Sequence, residues 1–297
     1  MSTRQKVLIL GAGGMLGHKA CQCLNGYEVF GTVRKDVDYY QKFSRVFKDT
    51  TLIGHVDVLD HEKLEKTISD INPDVVINCI GIIKQLEEAK DPVLSIKINS
   101  LLPHQLANIC EKTGSRLIQI STDCVFDGMK GSYSETDIPN ATDIYGRTKC
   151  LGEVTDRKHC ITLRTSIVGR ELDTSSGLVE WFLSNNGKKV KGFQKAIYTG
   201  FTTIALINII KDIIQDHPDL SGLYQVSSEP INKYDFTCLV RDTMGLDIEI
   251  EAETKFLMDR SLTCDNFKKD THFTAPSWPD MIQQLAGDPT PYDKWRM

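Results

Sequence analysis

Tyr145-Gly146-Arg147-Thr148-Lys149 sets a phenol and an ammonium four residues apart. On a helix that spacing puts both on one face. A phenol ordinarily titrates near pH ~10, so proton exchange near neutrality is helped by a cation that stabilises the phenolate. Lys149 is the candidate cation. Tyr-x-x-x-Lys alone is more often a surface pair, but here Ile-Ser-Thr-Asp-Cys-Val-Phe-Asp-Gly (120–128) precedes it. That stretch closes an apolar run and delivers Ser121 and Thr122 to the carboxyl edge of a sheet, where ligands of α/β folds bind. A hydroxyl there can hold a carbonyl.

A second constellation lies near the N-terminus. Lys-Val-Leu-Ile-Leu (6–10) runs into Gly-Ala-Gly-Gly-Met-Leu-Gly, with glycines at Gly11, Gly14 and Gly17 and with Met15 and Leu16 between the last two. A glycine turn joining a first strand to a first helix lets the backbone approach a pyrophosphate, which the free amides and the helix's positive end stabilise. The turn therefore predicts a dinucleotide, and Lys149 can then also bond its nicotinamide ribose. The second strand ends Val-Arg-Lys rather than in the acid that would accept NAD's ribose hydroxyls. Arg34, with Lys35 or Thr32, suits a 2'-phosphate instead, so NADPH is expected over NADH. Asp57 and Val58 are positioned for adenine. Cys79, Ile80 and Gly81 would pass under the ribose and nicotinamide.

The positioning elements follow from periodicity. Apolar runs at Lys6–Leu10, Glu28–Val33, Thr51–Val58, Asp74–Ile80, Arg116–Ser121 and Cys160–Ile167 read as buried parallel strands. Helical patterns at Met15–Leu24, His61–Ile71, Asn99–Lys112 and Ile144–Arg157 alternate with them. This is an α/β, Rossmann-type doubly wound parallel sheet, residues 1–168, followed by a smaller substrate-binding region, 169–297. Within the latter, a helix is expected over Thr202–Gln215, and a strand near 222–228 returns to the sheet.

With 40% hydrophobic residues and a net charge of -5, the composition implies no broad attraction to nucleic acid or membrane. Nine cysteines without C-x-x-C or zinc spacing suit a reducing compartment, and no signal-peptide core follows Met1–Lys6, so a cytoplasmic location is expected.

Together, Gly11–Gly17, Ser121–Gly128, Tyr145–Lys149 and Leu163-Arg164-Thr165-Ser166 resemble the extended short-chain dehydrogenase/reductase superfamily. Within it they resemble the dTDP-4-dehydrorhamnose reductase group. The resemblance implies an oxidoreductase that reduces a 4-keto-(6-deoxy) sugar nucleotide for surface polysaccharide biosynthesis, with Thr122, Tyr145 and Lys149 catalytic. It also implies that Asn99 supports a proton-relay water near the cofactor and that Arg260 contacts the substrate diphosphate with Lys191 second, while Phe193 or Trp181 offers a stacking surface for the base. Ser121 joins Thr122 at the substrate, and a homodimer is implied. Cys124 stands where the group has tyrosine, and Met15 replaces an acid some members use for magnesium, so no metal is expected. The alternatives are an epimerase or dehydratase of the superfamily, and a non-catalytic subunit like the regulatory subunit of methionine adenosyltransferase. A dehydratase would carry glutamate in place of Cys124.

Overall fold

A computed structural model of the chain describes residues 4–84 and 87–295, without the side chains of 87 and 88. Met1–Thr3, at the start of the N-terminal segment read above, and Arg296–Met297, at the end of the tail, lie outside the described residues. In chain order the elements are β1 (Lys6–Leu10), α1 (Met15–Cys23), β2 (Glu28–Thr32), β3 (Thr50–Ile53), α2 (His61–Ile71), β4 (Val75–Asn78), α3 (Pro92–Ser95), α4 (Leu102–Thr113), β5 (Arg116–Ile120), α5 (Ile144–Leu151) and β6 (Cys160–Arg164). After these come β7 (Ser166–Val168), α6 (Leu178–Leu183), β8 (Lys189–Phe193), β9 (Ala196–Tyr198), β10 (Gly200–Thr202), α7 (Thr203–Asp216), β11 (Gly222–Gln225), β12 (Ile231–Asn232), α8 (Lys233–Met244), β13 (Glu249–Glu253), β14 (Met258–Asp259), α9 (Asp265–Thr271) and α10 (Trp278–Ala286).

Seven parallel strands pair in the order β11-β6-β5-β4-β1-β2-β3. Val7 lies beside both Val29 of β2 and Val75 of β4. The strand order therefore reverses at β1, and the crevice between the carboxyl ends of β1 and β4 is where such sheets take a ligand. Alternation along β1 builds two cores. Val7 and Ile9 face α1, α7 and α10, through Leu16, Ala20, Leu206, Ile210, Met281 and Ile282. Leu8 and Leu10 face α2 and α4, through Leu64, Ile68, Leu106 and Ile109. The region beyond 168 thus shares the first core, and β11 joins the main sheet beside β6.

Several elements differ from their sequence reading. The run ending at Val58 stops as a strand at Ile53, because His55 turns the chain through φ 57° and Asp57 then accepts the Leu59 amide. The run through Ile167 leaves the sheet after Arg164, and Ser166–Val168 pairs instead with β10. Gly200 permits this, since a Cβ there would fall 2.7 Å from the Ser166 carbonyl oxygen. The helix containing Asn99 starts earlier, at Pro92, where Asp91 accepts the Val93 and Leu94 amides. It passes through a π-helical turn, Ile96–Leu101, before α4. The helix from Ile144 ends at Leu151, short of Arg157.

Gly17 fixes how α1 meets β1, since a Cβ on it would overlap the Gly11 carbonyl oxygen. Gly17→Ala should cost about 3 kcal/mol of folding stability through overpacking. Urea denaturation checks this, and an unchanged midpoint would show that the turn can relax around a methyl group.

Candidate functional site

The glycine turn is built for an anion. Gly11 sits at φ +81°, which favours glycine, and its carbonyl accepts the Gly14 amide at 3.0 Å. Gly14 caps α1 without a side-chain bond, and the first turn carries no acid, so its amides remain for a ligand. A Cβ on Gly11 would fall 2.8 Å from Ile80 Cγ1, which brings the ends of β1 and β4 together. These features fit a dinucleotide pyrophosphate.

The surrounding residues divide by what they offer. Leu16 and Val58 are core side chains, so each has mainly backbone to present, and Ile53 and Ile80 border the cluster that holds Val58. Asp57 is exposed. Met15 lies against the Gly177 loop, its Sδ 3.7 Å from where a Gly177 Cβ would be. Arg34 is exposed, while the Lys35 ammonium lies 3.5 Å from the Tyr39 ring centroid and 3.6 Å from the Asp173 carboxylate. Tyr40 carries no spacing signal in the sequence. Its hydroxyl would stand 3.0 Å from a Cβ on Gly13, and burial raises its pKa while Lys35 and Arg34 pull it down. Only the three-dimensional return of the 37–43 turn over the glycines reveals it.

At the carboxyl edge of β5, Thr122 is buried. Its hydroxyl accepts the Cys124 amide at 3.1 Å and donates to Asp123 Oδ1 at 3.2 Å. Tyr145, in the first turn of α5, is partly exposed. Burial, then the Cys124 thiol, raises its pKa, the Thr122 hydroxyl lowers it, and Asp123 and Asp143 raise it further. The phenol is therefore held protonated, in the state that donates.

Lys149 is 7% exposed, and its ammonium donates to the Ile120 carbonyl at 2.7 Å. Burial lowers its pKa to about 8 against the opposing pull of Glu153. In this arrangement the sheet edge engages the ammonium, and burial is the largest influence on the phenol. Lys149 Nζ also stands 3.9 Å from where a Gly81 Cβ would be, with Asn99 Oδ1 at 3.4 Å, so the end of β4 meets both.

Two hydroxyl and amide groups are engaged by the framework. Ser121 donates to Glu153 Oε1 at 2.7 Å, and Glu153 is clamped by Arg164 through two bonds of 2.7 Å. Ser121 thus turns away from the Thr122 edge and does not offer its hydroxyl to a substrate in this arrangement. The Asn99 amide grips Ile82, accepting its N–H at 2.9 Å and donating to its carbonyl at 3.1 Å.

The residues expected at the substrate separate. Lys191 is exposed on β8 beside Glu251, and the Phe193 ring packs on Phe256 at 5.4 Å between centroids. Arg260 reaches the centre, donating through Nε to the Phe126 carbonyl at 2.9 Å and through Nη1 to Cys124 Sγ at 3.3 Å. The sequence shows no cation near Cys124, and the fold supplies one. Burial nevertheless pushes the thiol up to about 12, so it stays protonated.

The family model described as RmlD substrate binding domain matches residues 5–287. A dTDP-4-dehydrorhamnose reductase from Aggregatibacter actinomycetemcomitans is 28% identical over 251 residues, 80% of this chain and 78% of that protein. Methionine adenosyltransferase 2 subunit beta from Xenopus tropicalis is 25% identical over 256 residues, 82% of this chain and 73% of that protein. The crystal structure of a dTDP-4-dehydrorhamnose reductase from Bacillus anthracis in complex with NADP shares the fold. It superposes with a TM-score of 0.77 at 19% identity, covering 95% of this chain and 99% of that one.

Lys149 also gives a pH signature. Its pKa falls from 10.5 to about 8 on folding, so between those values the unfolded chain binds more protons than the folded one. Stability from this residue therefore rises with pH across that window, and below it the cost of burying the charge persists. Lys149→Met should flatten the rise in unfolding free energy between about pH 8 and pH 10.5. Urea titrations at several pH values test it, and parallel curves for the two proteins would contradict the shift.

Proposed function

Because the chain belongs to the RmlD substrate binding domain family, we propose that it is an NADPH-dependent oxidoreductase that reduces the 4-keto group of a 6-deoxy sugar nucleotide, supplying a deoxysugar donor for surface polysaccharide. The observation carrying this reading is the convergence of Thr122, Tyr145 and Lys149 beside the ends of β4 and β5, next to a glycine turn with free helix amides.

A nicotinamide held there would supply the hydride for the keto carbon. Tyr145 gives its proton to the carbonyl oxygen as negative charge develops there, leaving an alcohol. Thr122 donates a hydrogen bond to the same oxygen, rotating away from Asp123 to do so. Lys149 stays with the Ile120 carbonyl and directs its remaining N–H bonds toward Gly81, where a ribose would pass. Its charge then attracts the phenolate that forms once Tyr145 has given up its proton. Gly11, Gly14 and Gly17 with the first turn of α1 would hold the pyrophosphate, and Arg34 would meet the 2'-phosphate, with Tyr40 beside it.

Two other readings share the scaffold. An epimerase would keep its cofactor bound and return the hydride, giving no net NADPH consumption. A regulatory subunit is suggested by the similarity to methionine adenosyltransferase 2 subunit beta, and would bind a partner protein without turnover. The homodimer proposed for the reductase has apolar surface at hand: Val93, Ile96 and Leu101 are 59%, 47% and 49% exposed along the helix that leads into α4, and Leu151 of α5 is 66% exposed.

Tyr145→Phe should lower the rate of NADPH oxidation with a dTDP- or UDP-4-keto-6-deoxyhexose by roughly 10²- to 10⁴-fold, the share of a general acid, while NADPH binding is retained. An unaltered rate would remove the phenol from the mechanism. Arg34→Ala should weaken NADPH roughly tenfold or more, the worth of a charge-assisted bond, and leave NADH unaffected. Equal losses for both cofactors, read by fluorescence titration, would refute recognition of the 2'-phosphate.

A further inference from the structure

Next to the reacting edge the fold assembles two cations from separate elements. β9 is flanked by β12 and β14: Asn232 and Asp259 both pair with Ile197, and the Arg260 amide bonds the Ile197 carbonyl at 3.0 Å. Lys233 follows β12 directly as Arg260 follows β14, so both leave the same small sheet. Each is within electrostatic range of the other and of Asp123 and Cys124, the residues that follow Thr122. Arg260 is fixed by the Phe126 and Cys124 contacts and by room over Gly128, where a Cβ would fall 3.1 Å from Arg260 Cγ. Lys233 is partly buried, yet among the described residues no hydrogen bond or ion pair engages its ammonium. One buried carboxyl group, Asp123, faces both cations, and the less buried Asp127 and Asp143 also lie within electrostatic range of Arg260.

A half-buried ammonium without a partner beside a fixed guanidinium is an arrangement that an anionic ligand completes. We propose that Lys233 is a substrate-binding residue and that Lys233 and Arg260 together hold the sugar-proximal phosphate of the nucleotide-sugar diphosphate. This rests on the reductase reading above, in which the substrate carries such a phosphate one pyranose ring from the reduced carbon. Cys124 sets the geometry. Its small thiol is what Arg260 Nη1 touches, and a phenol at that position would fill the guanidinium's place and push it outward. β8 runs alongside: a Cβ on Gly192 would fall 2.7 Å from Tyr234 Cδ2, so the strand with Lys191 and Phe193 borders the start of α8 and can flank the nucleoside.

Calorimetry with UDP and dTDP, and with UMP and dTMP, which lack the second phosphate, tests the pair. Lys233→Met should weaken the diphosphate that the wild type binds by roughly ten- to a hundredfold, the range for a charge-assisted bond. It should change the monophosphate much less and leave NADPH affinity and melting temperature as they were. Lys233→Arg should restore part of the loss, and Lys233→Gln replaces the methionine variant if that one misfolds. If wild type binds the diphosphate and the Lys233 variants bind it equally well, the phosphate role is overturned and the reductase reading stands. If wild type binds neither diphosphate, the sugar-nucleotide reading falls and this inference with it.

Discussion

The crossing of α5 over the π-helical turn at Ile96–Leu101 sets where Tyr145 and Lys149 stand. Gly152, just past α5, lies so close to the Asn99 carbonyl that any side chain there would overlap it. Ser100 donates to the Thr148 carbonyl at 2.8 Å, and the Asn99 amide reaches the Thr148 hydroxyl at 3.4 Å. A widened turn exposes carbonyls that a regular helix would use internally, and π-turns of this kind recur at functional sites. The same asparagine grips Ile82. One residue thereby ties α5, the loop after β4 and its own helix into a single frame, and the distance from Lys149 to Gly81 follows from it.

The other half of the cleft is held from behind by the end of the chain. Lys19 of α1 pairs with Asp288 at 2.5 Å, both almost wholly buried, and His18 bridges the Gly14 carbonyl and the Tyr292 hydroxyl at 2.9 Å each. Burial depresses the His18 pKa to about 3, so the imidazole is neutral. For Lys19, burial outweighs the pull of Asp288 and lowers its pKa. The Asp288 carboxyl is also held down, since its bonds to Lys19 and Thr290 outweigh its own burial. Such a pair is weak as a source of net stability, since desolvation offsets most of the attraction, but removing one member leaves a buried charge uncompensated. Its effect is to orient: α1, whose first turn follows the glycine turn, is locked to the segment after α10.

The buried strands were legible because parallel sheets write themselves as apolar runs, and β1, β2, β4 and β5 fall within a residue or two of their runs. What failed was the ends. His55 adopts a left-handed turn that no apolar pattern announces, and β6 is cut short by a change of pairing partner that depends on Gly200, some forty residues later. The earlier start of the Asn99 helix did carry a local signal, Asp91 before Pro92, a cap followed by a first-turn proline. At the site, residues carried by a spacing rule were readable, as with Tyr145 and Lys149. Tyr40, Lys233 and the engagement of Ser121 by Glu153 were not, since each depends on elements far apart in the chain.

That division has a chemical consequence at Cys124. In the sequence the residue is a substitution without visible company. In the fold, its thiol lies between the donor edge of Thr122 and Tyr145 and the Arg260 guanidinium, and burial together with Asp123 keeps it neutral despite that cation. A neutral small group at this point does two things at once. It adds no charge beside the phenol, whose protonated form is favoured by burial, and it leaves the guanidinium space to approach the Thr122 edge. A charged thiolate would neutralise Arg260 and remove the anion-binding capacity beside it. The burial that silences the cysteine is therefore what keeps Arg260 available, and the two halves of the site are coupled through it.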